Sequence, residues 1–183
     1  IIFAPNHQNA LMDALALVYS VSGQPVFMAR ADIFKKQALA RILNFLKLMP
    51  VYRIRDGYES LQNNERVMDK VSDVLSQKHS LVIFPEGNHG AKRNLRPLKK
   101  GICRMAFQAE AKNDFELGLY IVPVGLDYEN YYKFHRSLLV NFGTPIKVDP
   151  FNSLFRVNPT KAYNLLKLKI AQGLKQVMLH IGN

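Results

Sequence analysis

His7 and Asp13 are the residues with which chemistry could begin. The histidine lies in the polar turn Asn6-His7-Gln8-Asn9, after the apolar run Ile1 to Pro5. The aspartate follows six positions later, in a stretch with helical spacing. Strand-to-helix junctions are where α/β proteins place reactive groups. An imidazole oriented by a carboxylate is a general base that works near neutral pH. Three other strand ends carry residues that packing alone does not call for: Arg53 and Arg55 after Pro50-Val51-Tyr52, Glu86 and Gly87 in Phe84-Pro85-Glu86-Gly87, and the segment Val122-Pro123-Val124-Gly125. In a parallel sheet such ends share one edge, which would gather a base, an acid and several cations.

Those residues need a frame. Strands are expected at 1–5, 25–29, 50–54, 81–84, 119–126 and 138–142, with a short extended piece at 146–148. Asn9 is the expected N-cap of a helix reaching about Val21, with Leu11, Leu15 and Val18 on one face. Asp32 can cap a helix over about 33–48, whose apolar residues Phe34, Leu39, Ile42, Leu43, Phe45 and Leu46 cover a wide arc. That arc fits core packing or contact with lipid. A helix over 58–77 would bury Leu61, Val67, Met68, Val71, Val74 and Leu75. Residues 88–97 form a basic loop, and a helix starts at Lys99 or Lys100 and runs to Lys112. A last helix begins after Pro159-Thr160, within a helical extension over 149–183. Strands alternating with helices predict an α/β fold: one domain over 1–183, a layered, largely parallel sheet flanked by helices.

The chain has 183 residues, 48% hydrophobic and 21% charged, a globular composition with room for a substantial core. The single Cys103 excludes an internal disulfide and fits a reducing compartment. Net charge is +11, which favours a polyanionic partner: nucleic acid, an anionic membrane or phosphorylated substrates. No stretch approaches the ~18 apolar residues of a membrane span, and the nearest, Ile42 to Tyr52, is broken by Lys47 and Pro50. No signal-peptide pattern occurs in these residues. The chain opens without Met inside a strand, so a fragment of a longer protein is expected, with an anchor outside it allowed. No metal-ligand spacing and no Gly-rich dinucleotide loop occurs, so neither a metal nor a redox cofactor is expected.

Taken together, these blocks resemble the glycerolipid acyltransferases, the family of lysophosphatidic acid and glycerol-3-phosphate acyltransferases. Asn6-His7 with Asp13 resembles its Asn-His block and downstream Asp, Phe84-Pro85-Glu86-Gly87 its glutamate block, and Val122-Pro123-Val124 its late apolar-Pro block. Leu98-Lys99-Lys100-Gly101 is similar to the Lys-x-Gly that follows the glutamate, and Arg53 or Arg55 stands where the family has an arginine ending a strand. The resemblance covers about residues 1–148. The family's commonest form has four residues between His and Asp, against five here, Gln8 to Met12; a subset that includes fungal glycerol-3-phosphate acyltransferases is similar in this respect. Asn88-His89 replaces the usual Thr-Arg. The subset pattern favours Arg53 as the family arginine, and the commoner pattern favours Arg55.

The resemblance implies transfer of a fatty acyl group from acyl-CoA or acyl carrier protein, as co-substrate, to a hydroxyl of a glycerol-phosphate acceptor (glycerol 3-phosphate or a lysophospholipid such as lysophosphatidic acid). A thioester is already activated, so only the acceptor hydroxyl needs a base. His7 would take its proton and Asp13 would fix the ring's tautomer. Arg53 or Arg55 would hold the acceptor phosphate, with Lys99 and Lys100 adding charge. Glu86 would accept a hydrogen bond from an acceptor hydroxyl or orient a cation, and Gly87 would let the backbone turn tightly. The expected place is the cytoplasmic side of a membrane, peripheral or anchored from outside this chain, against anionic lipid.

Plainer readings stand beside these. His89 reads as a solvated loop residue and Cys103 as a core thiol. The run Lys92, Arg93, Arg96, Lys99, Lys100 and Arg104 is either a solvated face or a phosphate or headgroup contact. The rival function is a non-catalytic protein binding anionic phospholipid or nucleic acid. Against nucleic acid, aromatics do not interleave with the basic loop, so it is not an expected partner. Against a pure binder, a His-Asp pair would have no role.

Overall fold

The computed structural model describes residues 1–34, 37–45, 47–51, 59–90, 94–133 and 135–179, with all side chains in these but those of 30, 37–39, 42 and 59–64. Among the described residues seven strands form one sheet: β1 (Ile2–Pro5), β2 (Val26–Arg30), β3 (Leu48–Val51), β4 (Leu81–Val82), β5 (Tyr120–Tyr128), β6 (Leu138–Phe142) and β7 (Ile146–Lys147). Their order is β3-β2-β4-β1-β5-β6, with β7 also paired to β5. The first five strands pair in parallel; β6 and β7 run antiparallel to β5. The fold is α/β, with a mostly parallel sheet flanked by helices.

Strand alternation sorts the core into two faces. Ile2, Ala4, Leu81, Ile83 and Ile121 share one apolar cluster with residues of α3 (Glu59–Ser76), α4 (Gly101–Lys112) and α6 (Pro159–Val177). In α6, Ala162, Leu166, Ile170, Leu174 and Val177 are buried at helical spacing, so the C-terminal extension completes this face of the core. Leu165 and Leu168 face outward. On the other face Phe27, Val82, Val122, Val124, Leu126 and Tyr128 pack against Leu17 of α1 (Ala10–Ser20), with Phe3 and Phe84 beside them.

Several expected boundaries shift. Where one helix over about 33–48 is expected, the described residues hold a 3₁₀ turn at Ala31–Phe34 and α2 at Gln37–Phe45, and by Leu48 the chain is already in β3. Lys47, at φ 56°, makes the reversal. Phe45, expected in the apolar arc, is 83% exposed. A short α5 (Asn152–Val157) precedes α6. The apolar face of α1 points outward: Leu11, Met12, Leu15, Val18 and Tyr19 are exposed, while Asp13 and Leu17 are buried.

Val122-Pro123-Val124-Gly125 lies within β5 rather than at its end. Proline is rare inside sheets because it donates no ladder hydrogen bond. Here β5 pairs with β7 through Tyr120 and Ile121 and with β6 from Val124 onward, so Pro123 falls in the gap between the two partners. Its carbonyl faces that gap and accepts the Gly143 N–H at 2.8 Å. Gly125 lies against α6, where a Cβ would overlap the Val177 carbonyl. This block therefore builds the sheet and does not contribute a strand end to the site.

Candidate active site

The site is assembled at the C-terminal ends of β1 and β4. As β1 ends, the Asn6 side chain continues its ladder: Oδ1 accepts the Leu126 N–H at 2.7 Å and Nδ2 donates to the Leu126 carbonyl at 3.1 Å. That substitution satisfies β5 while the backbone of residues 7–9 turns away. His7 thus leaves the sheet at a fixed point.

Asp13 organises the turn. Its Oδ2 accepts three N–H donors at 2.8 Å each: His7 Nδ1 and the backbone N–H groups of Gln8 and Asn9. Its Oδ1 accepts the Tyr128 hydroxyl at 2.7 Å. The Asp13 side chain is fully buried and that of His7 is 15% exposed. Asn9 occupies the N-cap position, but its side chain makes no cap hydrogen bond. The Asp13 carboxylate reaches back to that end of the helix instead, as the acidic partner of a capping box does. The five-residue spacing between His7 and Asp13 closes through Ala10, which adopts φ 42°, a left-handed conformation uncommon for a residue with a Cβ.

A carboxylate already receiving two backbone N–H groups can only accept from the ring, so His7 carries its proton on Nδ1. Nε2 is then the nitrogen able to take a proton. The ring stacks on Phe84, centroids 4.0 Å apart, which fixes its plane, and His89 meets it edge-on at 5.5 Å. His89 is exposed, as a loop residue should be, but it stands beside the His7 ring. Burial, and then the bond to the Asp13 carboxylate, raise the Tyr128 phenol above its ordinary pKa, so its hydroxyl stays protonated and donates.

Glu86, 4% exposed, faces the protein. Oε1 accepts the His7 N–H at 2.8 Å; Oε2 accepts Arg96 Nε at 2.6 Å and the Arg96 N–H at 3.2 Å. Arg96 Nη2 donates in turn to the His7 carbonyl at 2.6 Å and to the Asn88 carbonyl. Of the two roles expected for Glu86, this is the geometry of one that orients a cation. Gly87, at φ 71°, closes the turn with its N–H on the Phe84 carbonyl at 3.1 Å. A Cβ there would come within 3.2 Å of Lys99 Cγ, so Lys99 lies over the turn. Lys99 and Lys100 are exposed, Lys100 at the N-cap of α4. Arg53, Arg55, Lys92 and Arg93 lie outside the described residues. Burial pushes the Cys103 thiol up to about 12, as a core residue.

Four participants carried little signal in the sequence. Tyr128 and Tyr131, whose hydroxyl donates to Gln8 Oε1 at 2.7 Å, come from more than a hundred positions downstream. In the sequence Arg96 is one cation in a basic run, and Phe84 ends a strand and opens the Phe-Pro-Glu-Gly block with nothing to mark it as a partner of His7.

The Acyltransferase family model matches residues 1–127. The chain belongs to the acyltransferase family. Glycerol-3-phosphate O-acyltransferase 2 of Saccharomyces cerevisiae is 31% identical over 121 residues, covering 66% of this chain and 16% of that protein. 1-acyl-sn-glycerol-3-phosphate acyltransferase of Borreliella burgdorferi is 25% identical over 170 residues, covering 92% of this chain and 62% of that one. This acyltransferase chain thus spans only part of either relative. The crystal structure of the 1-acyl-sn-glycerophosphate acyltransferase PlsC from Thermotoga maritima matches it in fold, with a TM-score of 0.62 at 13% identity, covering 100% of this chain and 68% of that one.

Proposed function

We propose that the chain is the acyltransferase domain of a phospholipid-synthesis enzyme, moving a fatty acyl group from acyl-CoA or acyl carrier protein to a hydroxyl of glycerol 3-phosphate or lysophosphatidic acid. The observation that carries this reading is the His7 ring held by Asp13 with Nε2 left as the basic nitrogen. The acceptor proton passes to Nε2 as the acceptor oxygen attacks the thioester carbon. The imidazolium is stabilised by Asp13, and the proton leaves with the thiolate. No covalent enzyme intermediate is required. Acceptor phosphate would be held by Lys99 and Lys100 beside the Glu86-Gly87 turn, together with Arg53 or Arg55. Glu86 would act from behind, holding Arg96 and the His7 backbone. The family names of the relatives support the choice of acceptor class.

The domain would work at the anionic, cytoplasmic face of a membrane. Among the described residues no helix is long and apolar enough to cross one. The surface we assign to lipid is the outer face of α1, the helix that follows the His7 turn, where Leu11, Met12, Leu15, Val18 and Tyr19 are exposed and the helix's one charged residue, Asp13, points inward. The net charge of +11 supports attraction to anionic headgroups.

The test is an acyl-transfer assay with a labelled acyl thioester across glycerol 3-phosphate and lysophospholipid acceptors. His7→Ala should abolish transfer while vesicle binding persists. Near-normal turnover by this variant would overturn the mechanism. Arg53→Ala and Arg55→Ala, compared in acceptor KM, assign the phosphate contact to one of them.

A further inference from the structure

Tyr128 has no part in the reaction as drawn so far, yet it touches the aspartate on which the base depends. It ends β5, is 7% exposed, and donates its hydroxyl to Asp13 Oδ1 at 2.7 Å. The two oxygens of Asp13 are thereby divided. Oδ2 serves the imidazole and the two backbone N–H groups; Oδ1 serves Tyr128. The donors on Oδ2 hold that oxygen at the turn, and Tyr128 holds the other edge of the carboxylate, narrowing further a last torsion that is broad for aspartate. Tyr131, holding Gln8 Oε1, grips the same turn from the same downstream segment.

We propose that Tyr128 is a positioning residue of the general base: its hydroxyl fixes the Asp13 carboxylate so that Oδ2 faces His7 Nδ1, and by sharing the carboxylate's charge it tunes how strongly Asp13 stabilises the imidazolium. The proposal rests on His7 being the base, as proposed above. No proton of Tyr128 is transferred. The acceptor proton moves to His7 Nε2, the new C–O bond forms, the C–S bond breaks, and the proton departs on the thiol. Among the described residues, the other polar and charged groups facing the pair are His89 at the ring edge, Glu86 and Arg96 at the His7 backbone, and Tyr131 beyond Gln8. All of these remain when the Tyr128 oxygen alone is removed.

The experiment compares the parent with Tyr128→Phe and Tyr131→Phe in kcat, acceptor KM and the pH dependence of kcat/KM. Without the donated bond the Asp13 carboxylate is less neutralised and holds a proton on the ring more strongly. The acidic limb of the Tyr128→Phe profile should therefore move to higher pH. Its kcat should fall on the order of tenfold or more with acceptor KM little changed, because the base is less well aimed. Tyr131→Phe, which removes the same atom without touching Asp13, should leave the limb in place. A second probe keeps the shape of the site: 3-fluorotyrosine at position 128 is a stronger donor and should shift the limb to lower pH. An unmoved limb in both position-128 variants overturns the proposal. An unmoved limb in the fluorotyrosine protein overturns it alone, should the Phe variant not fold. Loss of transfer in His7→Ala with no effect at Tyr128 would refute this inference and keep the base; retained transfer in His7→Ala would refute the reading beneath it.

Discussion

Glu86 Oε2 stands 2.6 Å from Arg96 Nε, while Oε1 of the same carboxylate accepts the His7 N–H at 2.8 Å. One buried acid thus ties the loop after β4 to the turn that carries His7. Glu86→Gln cannot reproduce this: whichever way the amide is turned, an NH₂ meets either the His7 N–H or Arg96. A hydrogen bond to a charged group contributes about 1.5–3 kcal/mol, so the variant should lose stability on that order. Its kcat should also fall as the turn loosens, with acceptor KM near the parent's. Urea unfolding and steady-state kinetics check this together. A raised acceptor KM at unchanged stability would show instead that the carboxylate binds substrate.

Asp13→Asn separates charge from geometry. The two backbone N–H groups on Oδ2 force the amide oxygen of Asn into that position, where it still accepts from His7 Nδ1. The NH₂ then faces the Tyr128 hydroxyl, which can accept. The turn should survive and the melting temperature should stay close to the parent's, yet kcat should drop by roughly 10²–10⁴, because a neutral partner does not stabilise the imidazolium. Asp13→Ala should also lose stability, by about 1–3 kcal/mol for each buried donor left without a partner.

Glu110 makes the stability depend on pH. It is fully buried in α4, with Oε1 accepting the Leu119 N–H at 2.7 Å. Burial raises its pKa above the ordinary 4.5. A carboxyl whose folded pKa is raised stabilises the fold fully below its unfolded pKa. It loses that contribution as pH rises through the folded value. Glu110→Gln keeps the acceptor for Leu119 and removes the ionisation. Denaturant midpoints measured from pH 4 upward should fall less steeply in the variant than in the parent.

The outer face of α1 should carry membrane affinity. Leu15→Glu and Tyr19→Glu change exposed side chains, so folding stability should move by less than ~0.5 kcal/mol. Burying a large apolar side chain in lipid is worth about 1.5–3 kcal/mol, so each variant should bind anionic vesicles roughly tenfold or more weakly in sedimentation. Raising salt should weaken the parent as well, through its cationic surface. Vesicle binding unchanged by both substitutions would move the membrane face elsewhere.

The sequence by itself determined the parts that depend on local spacing. Alternating strand and helix periods led to the α/β sheet, and ordered short blocks led to the acyltransferase family and to the His7–Asp13 pair. Periodicity also identified α1 as amphipathic, but the same Leu11, Leu15 and Val18 spacing serves a face turned to the core or to the outside. Only the packing of Leu17 on β5 chose between them. In the sequence Val122-Pro123-Val124-Gly125 groups with the polar strand ends, although a strand is expected over 119–126. In the sheet, Pro123 fits inside β5 because two antiparallel partners leave a gap opposite it. For Glu86 the sequence leaves two roles open, a bond from an acceptor hydroxyl or the orienting of a cation, since an acid after a strand carries no label for what it faces. Arg96 and the His7 backbone are its partners because the loop after β4 folds back over the turn after β1. Tyr128 meets Asp13 across 115 positions. No local pattern encodes a contact of that separation; it exists because β5 pairs directly with β1 and runs past its end, which is a decision of tertiary structure.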